Sequence, residues 1–225
     1  MAGRLARRTF LWLMFLCVLI VLGIIGRGVW LASRTIFDLL TENRQLKTAI
    51  SNLTAESQIG LARVIGQERK DGRLLTRVRF IETARDDPSR QILTRDYDIE
   101  GDIVHFDALI VKFDDRYVAD GKGRALYLWR RIYGEKMTPE SAFSIEVAGA
   151  EPKRYGELLA KLSLRDRRLF WTEIWNLSND PNRLKSAGVQ AVYGNDVYAS
   201  LAPGLLYVFK IGNAGQFYVE AVPAP

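Results

Sequence analysis

The feature that most constrains this chain is a run of sixteen residues, Phe10 to Ile25, in which only Gly23 falls outside the strongly apolar set. Extended to Leu31 the stretch reaches 22 residues with Arg27 as its single charge. A helix rises about 1.5 Å per residue, so about 20 such residues cross a hydrocarbon core of about 30 Å. Arg27 lies near one end, where its side chain can reach the headgroups, and Trp30 suits the interface. A cleaved signal peptide would end at a small-residue site, whereas Val29 to Ser33 carries Trp30 and Leu31. The sequence therefore predicts an uncleaved signal anchor over 10–31 behind a basic tail over 1–9. Arg7-Arg8-Thr9-Phe10-Leu11 resembles the twin-arginine export motif. The span behind it is more apolar than such signals, so the pair reads as topogenic charge.

Charge sets the orientation. The chain holds 32 Lys and Arg against 26 Asp and Glu. Five of the basic residues, Arg4, Arg7, Arg8, Arg27 and Arg34, fall in the first 34 positions, which contain no acid. Beyond them the balance is 27 to 26, so the positive excess belongs to the anchor. A nucleic-acid surface needs basic residues clustered on a folded face, and no such partner is expected. The positive-inside rule places the N-terminus in the cytoplasm and the C-terminal domain outside an inner (plasma) membrane crossed once. The lipid bilayer is then the first partner. His105 and Cys17 are the sole histidine and cysteine. That excludes a His-rich metal site, an internal disulfide and a cysteine-ligated zinc, and no metal or cofactor is expected.

After the anchor the apolar spacing becomes heptad-like. Val29, Ile36, Asn43 and Ile50 occupy a positions, and Ala32, Leu39, Leu46 and Leu53 occupy d positions. Branched residues at a with Leu at d favour a parallel two-stranded coil, and one Asn at a fixes register at some cost in stability. Glu42 and Lys47 stand at g and the following e, where parallel chains form ion pairs. The expectation is a coiled-coil stalk over 32–57 and a parallel homodimer, with Ile36, Leu39, Asn43, Leu46, Ile50 and Leu53 as its seam.

Beyond Ser57 the period changes to two. The fold class read from this is α+β: transmembrane helix, short stalk, and a β-rich, sheet- or barrel-like outer domain over 58–225. Its strands are expected at 58–67, 74–83, 91–99, 103–113, 124–133, 205–211 and 216–222, divided by Gly and Asp turns. Glu100-Gly101 reads as the turn of a hairpin, and Gly194-Asn195-Asp196 as the turn of another between 189–193 and 197–201. A helical insert is expected over about 154–187. Its first helix spans Arg154–Leu162, its second is capped by Ser163 with Asp166 in a capping-box pattern, and a short third starts at Asp180-Pro181 and closes at Gly188. The stripe Phe170, Trp171, Ile174 and Trp175 reads first as a core face. Trp129, Trp171 and Trp175 are the residues to consider for a ligand or partner surface.

Chemical motifs are sparse. Asp96, Asp98, Glu100, Gly101, Ile103 and Asp107 follow part of the EF-hand spacing, but the flanks look like strands where that motif needs helices. His105 stands alone in a strand pattern without a neighbouring nucleophile. Gly121-Lys122-Gly123 lacks the strand–helix context of a phosphate loop and reads as a turn. Arg130-Arg131 and the cluster from Arg165 to Arg168 read as solvated faces. No catalytic constellation is legible, so the chain is read as non-enzymatic.

The order of anchor, stalk and β domain, with Glu42-Asn43-x-x-Leu46 opening the coil, resembles bacterial envelope scaffolds such as the rod-shape protein MreC. The seam, together with the missing catalytic constellation, leads to the expectation of a bitopic scaffold or assembly factor that meets other envelope proteins through a periplasmic domain. The alternative is a membrane-tethered sensor that binds a ligand or polymer.

Overall fold

The computed structural model describes residues 41–156, 163–176 and 188–225, together with Leu184 and scattered positions between Trp12 and Arg27. The chain divides into two units, Met1–Thr48 and Ala49–Pro225. In the first, every described position is helical and exposed. Among the described residues no helix is long and apolar enough to cross a membrane, and most of the anchor expected at 10–31 lies outside them.

Helix α1 occupies 41–54 of the described chain. The coiled coil expected there is not supported. Ile36 and Leu39 lie outside the described residues, Asn43 is exposed, Leu46 and Ile50 are 55% and 59% exposed, and Leu53 is half-buried. The helix also stops earlier than the stalk expected to 57. Ala55 closes the last turn onto Ser51 O, and strand pairing begins at Glu56.

Among its described residues the second unit holds nine strands, all paired antiparallel. They are β1 (Glu56–Lys70), β2 (Arg73–Thr83), β3 (Gln91–Glu100), β4 (Ile103–Phe113), β5 (Leu126–Gly134), β6 (Phe143–Ser144), β7 (Val189–Ser200), β8 (Leu205–Gly212) and β9 (Phe217–Pro223). One sheet has the order β3-β2-β1-β8-β9 and the other β6-β5-β4-β7. The β-rich α+β class read from the sequence holds. The β1–β2 connection is tighter than the charged run 68–73 suggests. Lys70 pairs with Arg73, and Asp71 and Gly72 make the whole turn at φ +51° and +76°. Positive φ at both central residues is the type I′ geometry that matches strand twist.

Two expected hairpins are replaced by other connections. β3 and β4 do not pair: β3 lies beside β2, β4 between β5 and β7, and Gly101 at φ +98° carries the chain between sheets. Val189–Ser200 form one strand instead of two, because β4 offers a continuous partner from Ile103↔Ser200 to Phe113↔Val189. Gly194-Asn195-Asp196 sits opposite Leu109, Ala108 and Asp107 on this edge strand. An edge tolerates such residues because only one side must be hydrogen-bonded.

The inner core lies between the sheets. Phe80, Phe106, Trp129 and Phe209 are fully buried there, with Trp129 edge-on to Phe80 at 4.9 Å and to Phe209 at 5.3 Å. A second cluster covers the outer face of the smaller sheet. Helix α3 (Leu164–Trp175) lays Trp171 and Ile174 on Leu109, Val111, Leu126 and Leu128. Its start matches the expected capping pattern: Ser163 Oγ accepts the Asp166 amide at 3.1 Å and donates to the Asp166 carboxylate at 2.6 Å. Of the helix expected over Arg154–Leu162, the described start falls in a 3-10 turn at Lys153–Tyr155, and 157–162 lie outside the described residues. The third expected helix also lies outside them apart from Leu184, which is helical, and Gly188, at φ +75°. A short helix that the sequence reading missed, α2 (Asp115–Ala119), follows β4 and is capped by Asp114.

Candidate functional site

The loops at one end of the two sheets surround a cavity of about 1040 Å³. Three segments bring cations to it. The loop after β2 carries Arg85 and Arg90, the loop after α2 carries Lys122 and Arg124, and the 3-10 turn carries Arg154. Phe113, Tyr117, Leu126, Tyr155 and Phe170 supply apolar and aromatic lining.

Local chemistry fixes each segment. The breaker Asp86-Asp87-Pro88-Ser89 closes on itself: Asp87 Oδ1 accepts from Ser89 N at 3.0 Å and from its hydroxyl at 2.6 Å, and Ala84 N donates to Arg90 O at 2.8 Å. An Asp side chain that bonds the backbone two residues on is a turn former. Arg85 leaves this loop and reaches across the chain. Its guanidinium donates to Ala125 O and, at 2.8 Å, to Asn213 Oδ1, and its Nε is buried without a hydrogen-bond partner. Asn213 in turn donates through Nδ2 to Asn52 O at 2.9 Å and through its amide to Ala55 O at 2.9 Å. The β2–β3 loop, the β8–β9 turn and the end of α1 are therefore one hydrogen-bonded unit.

Another part of the lining is an ionic network. Arg154 contacts Glu82 at 2.9 Å and also pairs with Glu146, and it lies 4.4 Å and 4.7 Å from the ring centres of Tyr127 and Tyr155. Tyr155 Oη accepts from Tyr127 N at 3.0 Å and donates to Tyr127 O at 3.1 Å, which holds the ring in place. Burial pushes the Glu82 carboxyl up to about 7 against the opposing pull of Arg154. Burial, with a smaller contribution from Arg124, lowers Arg85 to about 10, still charged at neutral pH.

The cations differ in how they are neutralised. Arg90 pairs with Asp86 at 2.7 Å, Lys122 with Asp120 at 2.7 Å, and Arg154 with its two glutamates. Among the described residues neither Arg85 nor Arg124 is in an ion pair.

A second polar cluster lies on the smaller sheet. His105 Nδ1 is 2.8 Å from Asp196 Oδ2, Tyr133 Oη donates to the same oxygen at 2.9 Å, and the His105 and Tyr133 rings stack at 4.8 Å. Burial and the Asp196 carboxylate push the Tyr133 hydroxyl up to about 12. Beside them a β-bulge shifts the register between Asp107 and Ala108. Arg130 and Arg131 then both reach Asp107, at 3.6 Å and 2.7 Å. A bulge can do this because it breaks the alternation of faces.

The tryptophans proposed from sequence are not brought together at the cavity. Trp129 is in the inner core and Trp171 under α3, both fully buried, and Trp175 donates its indole N–H to Ala150 O at 3.1 Å. Arg130 and Arg131 are held on Asp107, and Arg167 makes a paired contact to Glu151 at 2.6 Å and 3.1 Å, so neither cluster is merely solvated. The EF-hand-like acids serve a strand ladder: Asp96 binds Arg79 and Asp98 binds Arg77, each through two hydrogen bonds. Sequence reasoning missed Arg85 and Arg124. One signal was there: Lys122, Arg124, Arg130 and Arg131 fall within ten residues that contain no acid.

No family model, curated protein or solved structure matches the chain. The site is therefore read from its geometry.

Proposed function

We propose that this protein is a membrane-tethered, non-enzymatic binding module of the cell envelope, whose β-rich domain takes a ligand into the cavity between the β2–β3 and α2–β5 loops. The observation that carries the reading is the cavity itself. Its volume of about 1040 Å³ is at the upper end for small-molecule sites, and it combines aromatic walls with a few fixed polar groups. Its walls are tied by the Arg85–Asn213–Asn52 and Arg154–Glu82–Glu146 networks, so little ordering would be needed on binding. Gly123 lines the space, and a Cβ there would meet only ordinary contacts at 3.8 Å. The test is fluorescence of the neutral probe N-phenylnaphthylamine with the full chain in nanodiscs. Emission above empty nanodiscs, lost in Gly123→Leu at unchanged melting temperature, supports the reading. Equal emission from both proteins removes it.

A second reading, a dimeric scaffold for other envelope proteins, is favoured by Leu46 and Ile50, which stand exposed on α1 at heptad spacing. In a Cys17→Ser background, Leu46→Cys should cross-link between chains in membranes while Thr48→Cys, on the far side of the heptad, should not. Equal cross-linking at both positions counts against a seam.

A further inference from the structure

We infer that the cavity recognises an organic oxyanion, a phosphate or carboxylate carried on an aromatic or apolar body, with Arg85 as its inner anchor and Arg124 as its outer one. This rests on the ligand-binding reading above and adds the chemical class of the ligand. Two other charged groups taken out of water among the described residues are accompanied by counter-charges: Arg154 has Glu82 and Glu146, and Asp107 has Arg130 and Arg131. Arg85 has none among the described residues. It is largely buried, its two guanidinium bonds go to neutral oxygens, its Nε has no partner, and the charged group whose field it feels most is another cation, Arg124.

A desolvated charge without a counter-ion is costly, and a bound anion is what offsets it. A purely structural link from this loop to Asn213 would be served by a neutral amide, without that cost. The guanidinium offers a fork of N–H donors matched to the paired oxygens of a carboxylate or phosphate. Arg124 is exposed and free of ion pairs among the described residues, so it can close over the same oxyanion. Phe113, Tyr117 and Phe170 line the rest of the space, which is larger than an inorganic ion requires. They set the expectation of an organic body.

The experiment is isothermal titration calorimetry of the full chain in nanodiscs, with naphthyl phosphate, naphthoate and neutral naphthol as probes. At least one of the two anions should bind more tightly than naphthol, and the tighter one identifies the headgroup. Arg85→Gln should weaken that anion by about tenfold to a hundredfold, the scale of a charge-assisted contact. Arg124→Gln, at an exposed position where folding is not at risk, should weaken it severalfold, and the affinity of wild type should fall with added salt. Naphthol binding as tightly as both anions, or anion binding unchanged in both variants, would overturn the oxyanion while leaving a ligand site in place. Absence of binding by both anions at millimolar concentration also overturns it, and the neutral-probe fluorescence separately reports whether the cavity binds anything.

Discussion

Arg85 donates to the Asn213 side-chain oxygen at 2.8 Å across 128 positions of sequence, and the same Asn213 side chain donates to Asn52 O at 2.9 Å. One amide thus joins a loop, a turn and the end of α1 by using both its donor and its acceptor. Asn213→Ala should remove both bonds and leave Arg85 short of a partner in a largely desolvated site. The expected cost is about 2–4 kcal/mol, combining two lost bonds with the stranded charge. Urea denaturation followed by tryptophan emission measures it. A change below about 0.5 kcal/mol, the ordinary range of surface substitutions, would mean the loops are tied by other contacts.

At the other end of the sheets, Gly134 closes β5 against the end of β3. A Cβ there would lie 2.4 Å from Glu100 O and 2.7 Å from the Ile99 side chain, closer than backbone atoms permit. Gly134→Ala should therefore cost about 1–3 kcal/mol through overpacking. Gly66 is the control, also in a strand but with nothing within 4 Å of the added methyl. Gly66→Ala should be neutral or slightly stabilising, because the unfolded chain loses freedom. Equal melting temperatures for the two variants would contradict the close approach.

These features differ in how legible they were. Strand positions followed from alternation and from Gly and Asp punctuation, which are local signals. Ser163 and Asp166 marked the start of α3 because capping is chemistry within four residues. The switch of sheets at Gly101 was not legible, since the same Glu100-Gly101 turn serves a hairpin or a crossing, and only the partners of β3 and β4 decide. Gly194-Asn195-Asp196 misled for the opposite reason: a locally turn-like triplet stays extended when a long neighbour such as β4 supplies its hydrogen bonds. The cavity was least legible of all. Arg85, Arg124 and Asn213 are brought together by pairing between distant strands, and no spacing along the chain records that.

Stability should depend on pH through Glu82. Its carboxyl is 2% exposed and titrates near 7 when folded, against 4.5 for the ordinary group, because burial outweighs the attraction of Arg154. A raised folded value means the folded state binds the proton more tightly. Its contribution is then complete below about pH 4.5 and is lost as pH rises through about 7. At 1.36 kcal/mol per unit the loss approaches about 3 kcal/mol. Glu82→Gln stays neutral at every pH, so its melting temperature relative to wild type should rise between pH 5 and pH 8. A constant difference across that range would show that Glu82 does not titrate between pH 5 and pH 8 in the folded protein.

Asp107 tests whether the bulge-borne arginines need their carboxylate. It is 5% exposed, and Arg130 and Arg131 approach it together only because the register shifts between Asp107 and Ala108. Asp107→Ala leaves two adjacent cations facing one another over a partly buried sheet. Removing one member of a buried ionic group typically costs about 3–5 kcal/mol, and the half-exposed arginines place this case toward the low end. Asp107→Asn keeps the hydrogen-bond acceptor and discards the charge, so it should recover part of the loss. Arg130→Gln combined with Asp107→Asn should recover more, because only one of the two neighbouring cations then remains beside the amide. Thermal denaturation of the three proteins decides the matter. If Asp107→Ala were as stable as wild type, the carboxylate would be holding neither arginine.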